Sequence, residues 1–133
     1  MDNHGNVLSP AQWSVMECLW EAGSMTGREA AVAMEEKMGW SRSTTLTLLR
    51  RMEVKGFVTT AAENGIKIFL PALHREDAAL RETESLLERV YHGSISMLVS
   101  AMTHKHTLSQ QEIDRLHALL DEMEGAENDP MDR

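Results

Sequence analysis

A chain of 133 residues with 42% hydrophobic and 26% charged residues, and without a Gly, Pro or Ser run, has the composition of a globular protein rather than a disordered or fibrous one. No apolar run approaches the ~20 residues that cross a bilayer, and the start MDNHGNVLSP has neither the basic nor the apolar region of a secretory leader; membrane insertion is excluded and cytoplasmic residence is expected. The formal net charge of -8 is uneven: residues 1–70 hold seven Lys/Arg against eight Asp/Glu and residues 71–133 hold six against thirteen, so the acidity does not exclude an anionic partner for the first half.

The first helix is announced by Ser9 as N-cap, Pro10 at the first helical position, Gln12 closing a capping box and Leu8 placed to staple against Trp13. Trp13, Met16, Leu19 and Trp20 follow at helical spacing up to Gly23, and Cys18, the single cysteine, sits among them as an expected buried thiol. A second capping box, Thr26 to Glu29, opens a helix that should turn Ala30, Ala33, Met34 and Met38 inward before Gly39. A third helix should run from near Ser41 to Lys55, with Thr45, Leu48, Leu49 and Met52 as its inner stripe and Gly56 as its stop. The period then changes. Residues 57–61 and 66–70 are β-prone and flank Glu63, Asn64 and Gly65, a hairpin signal, and Pro71 ends the second strand.

Beyond residue 71 the pattern is helical again. Residues 74–91 carry Ala79, Leu80, Thr83, Leu86, Leu87, Val90 and Tyr91 on one side, and Gly93 breaks the run. A short helix follows through Ile95, Met97, Leu98, Ala101 and Met102, and a third capping box at Ser109 opens a last helix, to about residue 124, that presents Ile113, Leu116, Leu119, Leu120 and Met123. The predicted fold is mainly α with a small β-hairpin wing: a winged helix-turn-helix over 7–71, a three-helix arm over 72–124, and a polar tail over 125–133 expected to be disordered.

In this element order the third helix is the one that enters a DNA major groove. The side opposite its inner stripe collects Ser43, Leu46, Thr47, Arg50 and Val54, with Arg42 and Arg51 on the flanks. Arg42, Ser43 and Thr44 offer hydrogen-bonding groups of groove-reaching length, Leu46 and the Thr47 methyl suit thymine methyls, and Arg50, Arg51 and Lys55 lie where the helix would leave the groove and pass phosphates. Lys67 on the hairpin is a further candidate contact, although a surface lysine that protects a sheet edge explains it equally. The plain alternative for the whole face is a solvated helix with incidental bases.

The stretches LSPAQWSVMECLW, TGREAAVAM, WSRSTTLTLLRRMEVKGFV and YHGSISMLV together resemble the penicillinase-repressor (BlaI/MecI/CopY) family of bacterial transcriptional repressors, over roughly residues 7–124. The resemblance implies a winged helix that binds a palindromic operator in double-stranded DNA and a C-terminal helical arm that dimerises. The residues reach the homodimer separately, because three thin helices cannot cover one another's apolar stripes and uncovered stripes of that size mark an interface. The expected interface is Leu80, Leu86, Leu87, Val90, Tyr91, Leu98, Ile113, Leu116 and Leu120; the alternative is that these stripes fold back on the winged helix of the same chain.

The resemblance also implies two routes of release, and the sequence departs from both. In β-lactam-responsive members a membrane sensor-protease system leads to a cut in the short helix of the arm, commonly at an Asn-Phe bond; the register places that bond at Ala101 and Met102, neither of which matches. In copper-responsive members a C-terminal cysteine cluster binds metal, and no cysteine follows Cys18. His104 and His106 are candidate ligands without a third partner, so no metal site is expected. Nor is a cofactor or an enzymatic activity, since no nucleophile motif or Gly-rich phosphate loop occurs. Two other readings remain from different classes: a metal-sensing regulator, and a protein-interaction adaptor that uses a winged helix without DNA.

Overall fold

Two of the three expected capping boxes, at Ser9 and Thr26, form with both bonds, and Ser109 makes one of the two. In a computed structural model, which describes residues 7–105 and 107–128, Ser9 Oγ accepts from the Gln12 N–H at 3.1 Å and Gln12 Oε1 accepts from the Ser9 N–H at 2.8 Å, opening α1 (Pro10–Ala22). Thr26 and Glu29 repeat the reciprocal pair at the start of α2 (Gly27–Met38), and Ser41 Oγ accepts from the Thr44 N–H at 3.3 Å to open α3 (Arg42–Lys55). The chain then forms β2 (Val58–Glu63), β3 (Ile66–Pro71), α4 (Arg75–Tyr91), α5 (Ile95–Lys105) and α6 (Gln110–Asn128). The described chain divides into two compact units, one through Val90 and one from Tyr91.

The hairpin is tighter than the expected three-residue turn. Glu63 pairs with Ile66, and only Asn64 (φ 53°) and Gly65 (φ 79°) form the loop, the left-handed pair that a twisted two-residue hairpin requires. A strand absent from the sequence reading, β1 (Met25–Thr26), pairs antiparallel with β3 through Met25↔Phe69 and Thr26↔Ile68. The sheet order is β1-β3-β2. Two residues carry no period, so β1 forms only because the cap of α2 lies beside β3.

Val15, Met16, Cys18 and Leu19 of α1, Ala30 and Met34 of α2, Leu49 and Met52 of α3, and Phe57, Val58 and Phe69 of the hairpin share one core. Cys18 is buried as expected. Trp13 and Trp20 lie at the core's edge, 5.6 Å apart edge to face, and Trp20 Nε1 donates to the Leu73 carbonyl at 2.8 Å. In α2, Ala31 is buried and Met38, the last residue before the Gly39 cap, is half exposed, contrary to the expected stripe. Thr45 is fully buried and its Oγ1 has no hydrogen-bond partner among the described residues. Thr45→Val keeps the shape and removes that orphan, so it is expected to raise stability by about 1 kcal/mol in urea unfolding; a loss would mean that the hydroxyl is satisfied in solution.

α4 packs within the first unit by a face that its apolar stripe does not include. Ala78 and Ser85 are the buried residues of α4, Glu82 between them is half-buried, and Arg89 Nε donates to Ser85 Oγ at 3.0 Å. At the helix start Arg75 makes a two-bond contact with Glu17 of α1, at 2.8 and 3.2 Å, and its guanidinium lies 5.7 Å from the Trp13 ring centre. The bond from Arg75 holds the Glu17 carboxyl below the usual glutamate value of 4.5, against a smaller desolvation effect. Leu80, Leu86 and Val90 stand exposed.

Among the described residues the second unit has no buried residue of its own. His92 (φ 51°) and Gly93 break the helix after Tyr91, and Ser94 Oγ caps α5 by accepting from the Met97 N–H at 3.2 Å. Ser109 Oγ caps α6 in the same way, from the Glu112 N–H at 3.1 Å, and α6 continues to Asn128, past the expected end near residue 124. Leu98, Ile113 and Leu116 are half-buried, whereas Ile95, Met97, Met102, Leu119, Leu120 and Met123 are exposed. Among the described residues no helix is long and apolar enough to cross a membrane.

Candidate nucleic-acid interface

α3 is anchored by Thr45, Leu49 and Met52, all at 0% exposure, and this fixes which side chains face away from the protein. Arg42, Ser43, Thr44, Thr47, Arg50, Arg51, Val54 and Lys55 are all exposed, and Val54 reaches 88%. A bare valine beside three cations on an unpaired helix face is a surface shaped for contact. At its N-terminal end Ser41 Oγ donates to Thr44 Oγ1 at 3.0 Å and lies 3.2 Å from Ser43 Oγ. The Thr44 hydroxyl therefore accepts within the chain and keeps its own hydrogen for an outside acceptor.

Two shallow depressions flank the helix. On one side Trp40, Ser43, Thr44, Thr47 and Arg51 border a hollow that reaches Ala11. On the other, Arg28, Arg42, Arg50 and Lys67 rim a groove of about 470 Å³ whose floor is Leu46 and Phe69. Arg28, in the first turn of α2, is a fourth cation of this face that sequence reasoning missed. Its only signal was its place one residue after Gly27, and nothing along the chain shows that α2 begins beside α3 and the hairpin.

Two expected contacts take a different position. Leu46 is half-buried and packs against the core, where its Cδ2 stands 3.1 Å from the place a Cβ on Gly27 would occupy. It is thus partly withdrawn from the outward face, and a side chain at Gly27 would require Leu46 to shift by a few tenths of an ångström. Lys67, on the rim of the groove, also has partners in its own chain: its Nζ lies 3.8 Å from Glu53 Oε1 and 5.1 Å from the centre of the Phe69 ring. The Thr60 hydroxyl donates to the same carboxylate at 3.2 Å, so Glu53, the one acid of α3, holds the hairpin against the helix. The other expected residues stand together on the outward face.

The remaining candidates lie apart. Ala101 and Met102 are exposed on α5. His104 is exposed, with Nδ1 2.9 Å from the Ser100 carbonyl oxygen. His106 lies outside the described residues. Among the described residues no three His, Cys, Asp or Glu side chains stand close enough to hold a metal ion.

Comparison with known proteins gives a consistent result. The penicillinase repressor family profile matches residues 8–122. Over 120 residues the chain is 28% identical to the methicillin resistance regulatory protein MecI of Staphylococcus aureus, across 90% of this chain and 98% of that one. Over 115 residues it is 27% identical to the penicillinase repressor of Bacillus licheniformis, across 86% and 90%. Among solved structures, the monomeric form of Bacillus licheniformis BlaI in complex with the blaP half-operator aligns with a TM-score of 0.49 at 26% identity, over 53% of this chain and 85% of that one.

Proposed function

The chain belongs to the penicillinase repressor family of DNA-binding transcriptional repressors, and from that premise we propose that it acts in the cytoplasm as a homodimer on an inverted-repeat operator. The observation that carries this reading is the outward face of α3, whose hydroxyls and arginines are exposed while Thr45, Leu49 and Met52 of the inner stripe are fully buried and Leu48 partly so. Arg42, Ser43, Thr44 and Thr47 read base edges, and Arg50, Arg51, Lys55 and Arg28 hold phosphates. Lys67 is a secondary contact, because it shares its charge with Glu53 at 3.8 Å.

The dimer reading is supported by α4, α5 and α6. α4 docks through Ala78 and Ser85 and leaves Leu80, Leu86 and Val90 exposed, and α5 and α6 have no buried side chain among the described residues. A second chain would cover these side chains together with Leu87, Tyr91, Leu98, Ile113, Leu116 and Leu120. Two-fold symmetry then places two copies of α3 in successive major grooves. Release by a sensor-linked protease would act at Ala101 and Met102 in α5, whose exposure suits a cut but whose helical backbone must first open. No residue constellation supports catalysis by the chain itself.

Fluorescence anisotropy with DNA from the protein's own promoter tests this reading. Thr47→Ala is expected to reduce discrimination against base changes at its half-site position by about 1 kcal/mol, with little effect on non-specific DNA. Equal losses on operator and random DNA would remove Thr47 from the set that reads sequence.

A further inference from the structure

Where α1 begins, α3 ends and α4 passes, a cleft of about 300 Å³ gathers hydrogen-bond donors from three helices. Ser9 and Gln12 enter from the cap of α1, Lys55 from the last turn of α3, and Ser85 and Arg89 from α4. No side chain that lines it, among the described residues, is acidic.

The donors are oriented by bonds already made. Gln12 is 6% exposed, and its Oε1 is committed to the Ser9 N–H; the other end of the amide, Nε2, is therefore a donor, and it has no partner among the described residues. Ser85 is 3% exposed, and its Oγ accepts from Arg89 Nε, which leaves its own hydrogen to give. That same bond orients the Arg89 guanidinium, whose terminal NH groups have no partner among the described residues. The N-terminus of α1 adds the positive end of a 13-residue helix. Donors with fixed directions, two cations and no acid form a seat for an oxyanion.

We propose that this cleft binds a phosphate group. Lys55 and Gln12 also border the neighbouring hollow that contains Arg50 and Arg51, so an occupant would tie α4 to the end of the recognition helix. Two sources supply this chemistry: free phosphate or a phosphate ester, which would draw Lys55 from DNA, or a phosphate of the operator backbone beside the end of α3. The site itself does not depend on the operator reading.

The test has two arms. The ¹⁵N-labelled chain is titrated with inorganic phosphate against sodium chloride of equal ionic strength. Expected are saturable shifts at the Gln12 side-chain amide and at the Ser9, Ser85 and Arg89 amides, weakened about fivefold or more by Lys55→Gln and Arg89→Gln and retained in Arg89→Lys. In the second arm, anisotropy with operator DNA follows the salt dependence of Arg89→Gln, where a log-log slope shallower by about 0.9 assigns the phosphate to the backbone. Saturable phosphate shifts without that slope change assign it to a free ligand. Shifts no larger than those with chloride, or spread evenly over Arg28, Arg42 and the other cations, together with an unchanged slope, overturn the proposal. The phosphate arm contains no DNA, so its failure is separable from failure of the repressor reading. Lys55→Gln, which breaks no side-chain bond among the described residues, keeps the test valid if Arg89→Gln melts early by circular dichroism.

Discussion

Replacing Arg50 and Arg51 together by alanine is expected to weaken binding to operator and to random DNA alike, by roughly 60-fold at about 0.1 M salt. Both side chains are exposed on the outward face of α3 and neither is paired with an acid among the described residues, so their removal should leave the fold intact. The magnitude follows from counterion release: each phosphate that a cation neutralises contributes about 0.9 to the slope of log affinity against log salt. The double variant should therefore show a slope shallower by about 1.8, with an unchanged melting temperature. Anisotropy titrations between low and physiological salt read both quantities. A slope equal to that of the parent chain would take these arginines off the DNA and favour the reading of a winged helix that binds protein.

Leu49→Ala should act by the opposite route. Leu49 is fully buried between α1, α2 and the hairpin, in the one core that the first unit possesses. Truncation leaves a cavity that close-packed neighbours cannot fill, and the expected cost is about 3 kcal/mol, or a fall of roughly 12–24 °C in the melting temperature of a unit of this size. DNA binding should fall only as far as the folded fraction does, and recover on cooling. If the variant melts normally yet binds poorly, Leu49 acts on the orientation of α3 rather than on its stability. The two experiments together separate the residues that hold the recognition helix from those that touch its partner.

Much of this division was legible along the chain. Capping is local: Ser9 with Gln12 and Thr26 with Glu29 satisfy the backbone of their own first turns, so three or four residues suffice to predict each bond. The stripe of α3 is also local, because residues three and four apart share a face whatever lies opposite; Thr45, Leu49 and Met52 are buried as their spacing requires. Asn64 and Gly65 form the hairpin loop because their conformation alone permits a two-residue turn.

α4 shows where this reasoning stops. Its strongest periodic signal, the stripe through Leu80, Leu86 and Val90, is not the face that docks on the winged helix; Ala78 and Ser85 are. Small residues that allow close approach leave a faint signature, while a leucine stripe leaves a strong one even when its partner is another chain. Leu46 was placed on the binding face by angle, which gives the direction of a side chain from its helix but not what stands there, and Lys67 by its position on the hairpin, where protection of a sheet edge explained it equally. The start of α2 closes over Leu46, and Glu53 shares the charge of Lys67.

The sequence by itself determined where each helix starts, which face of α3 is buried and which is exposed, and that a hairpin follows, because capping, periodicity and turn chemistry are satisfied within a few residues. Only the tertiary structure decided that β1 joins the sheet, that Arg28 belongs with the cations of α3, and that the cap of α1 shares a cleft with Lys55 and Arg89. Each of these joins residues from separate elements, and their proximity follows from how the elements pack, which no local pattern encodes.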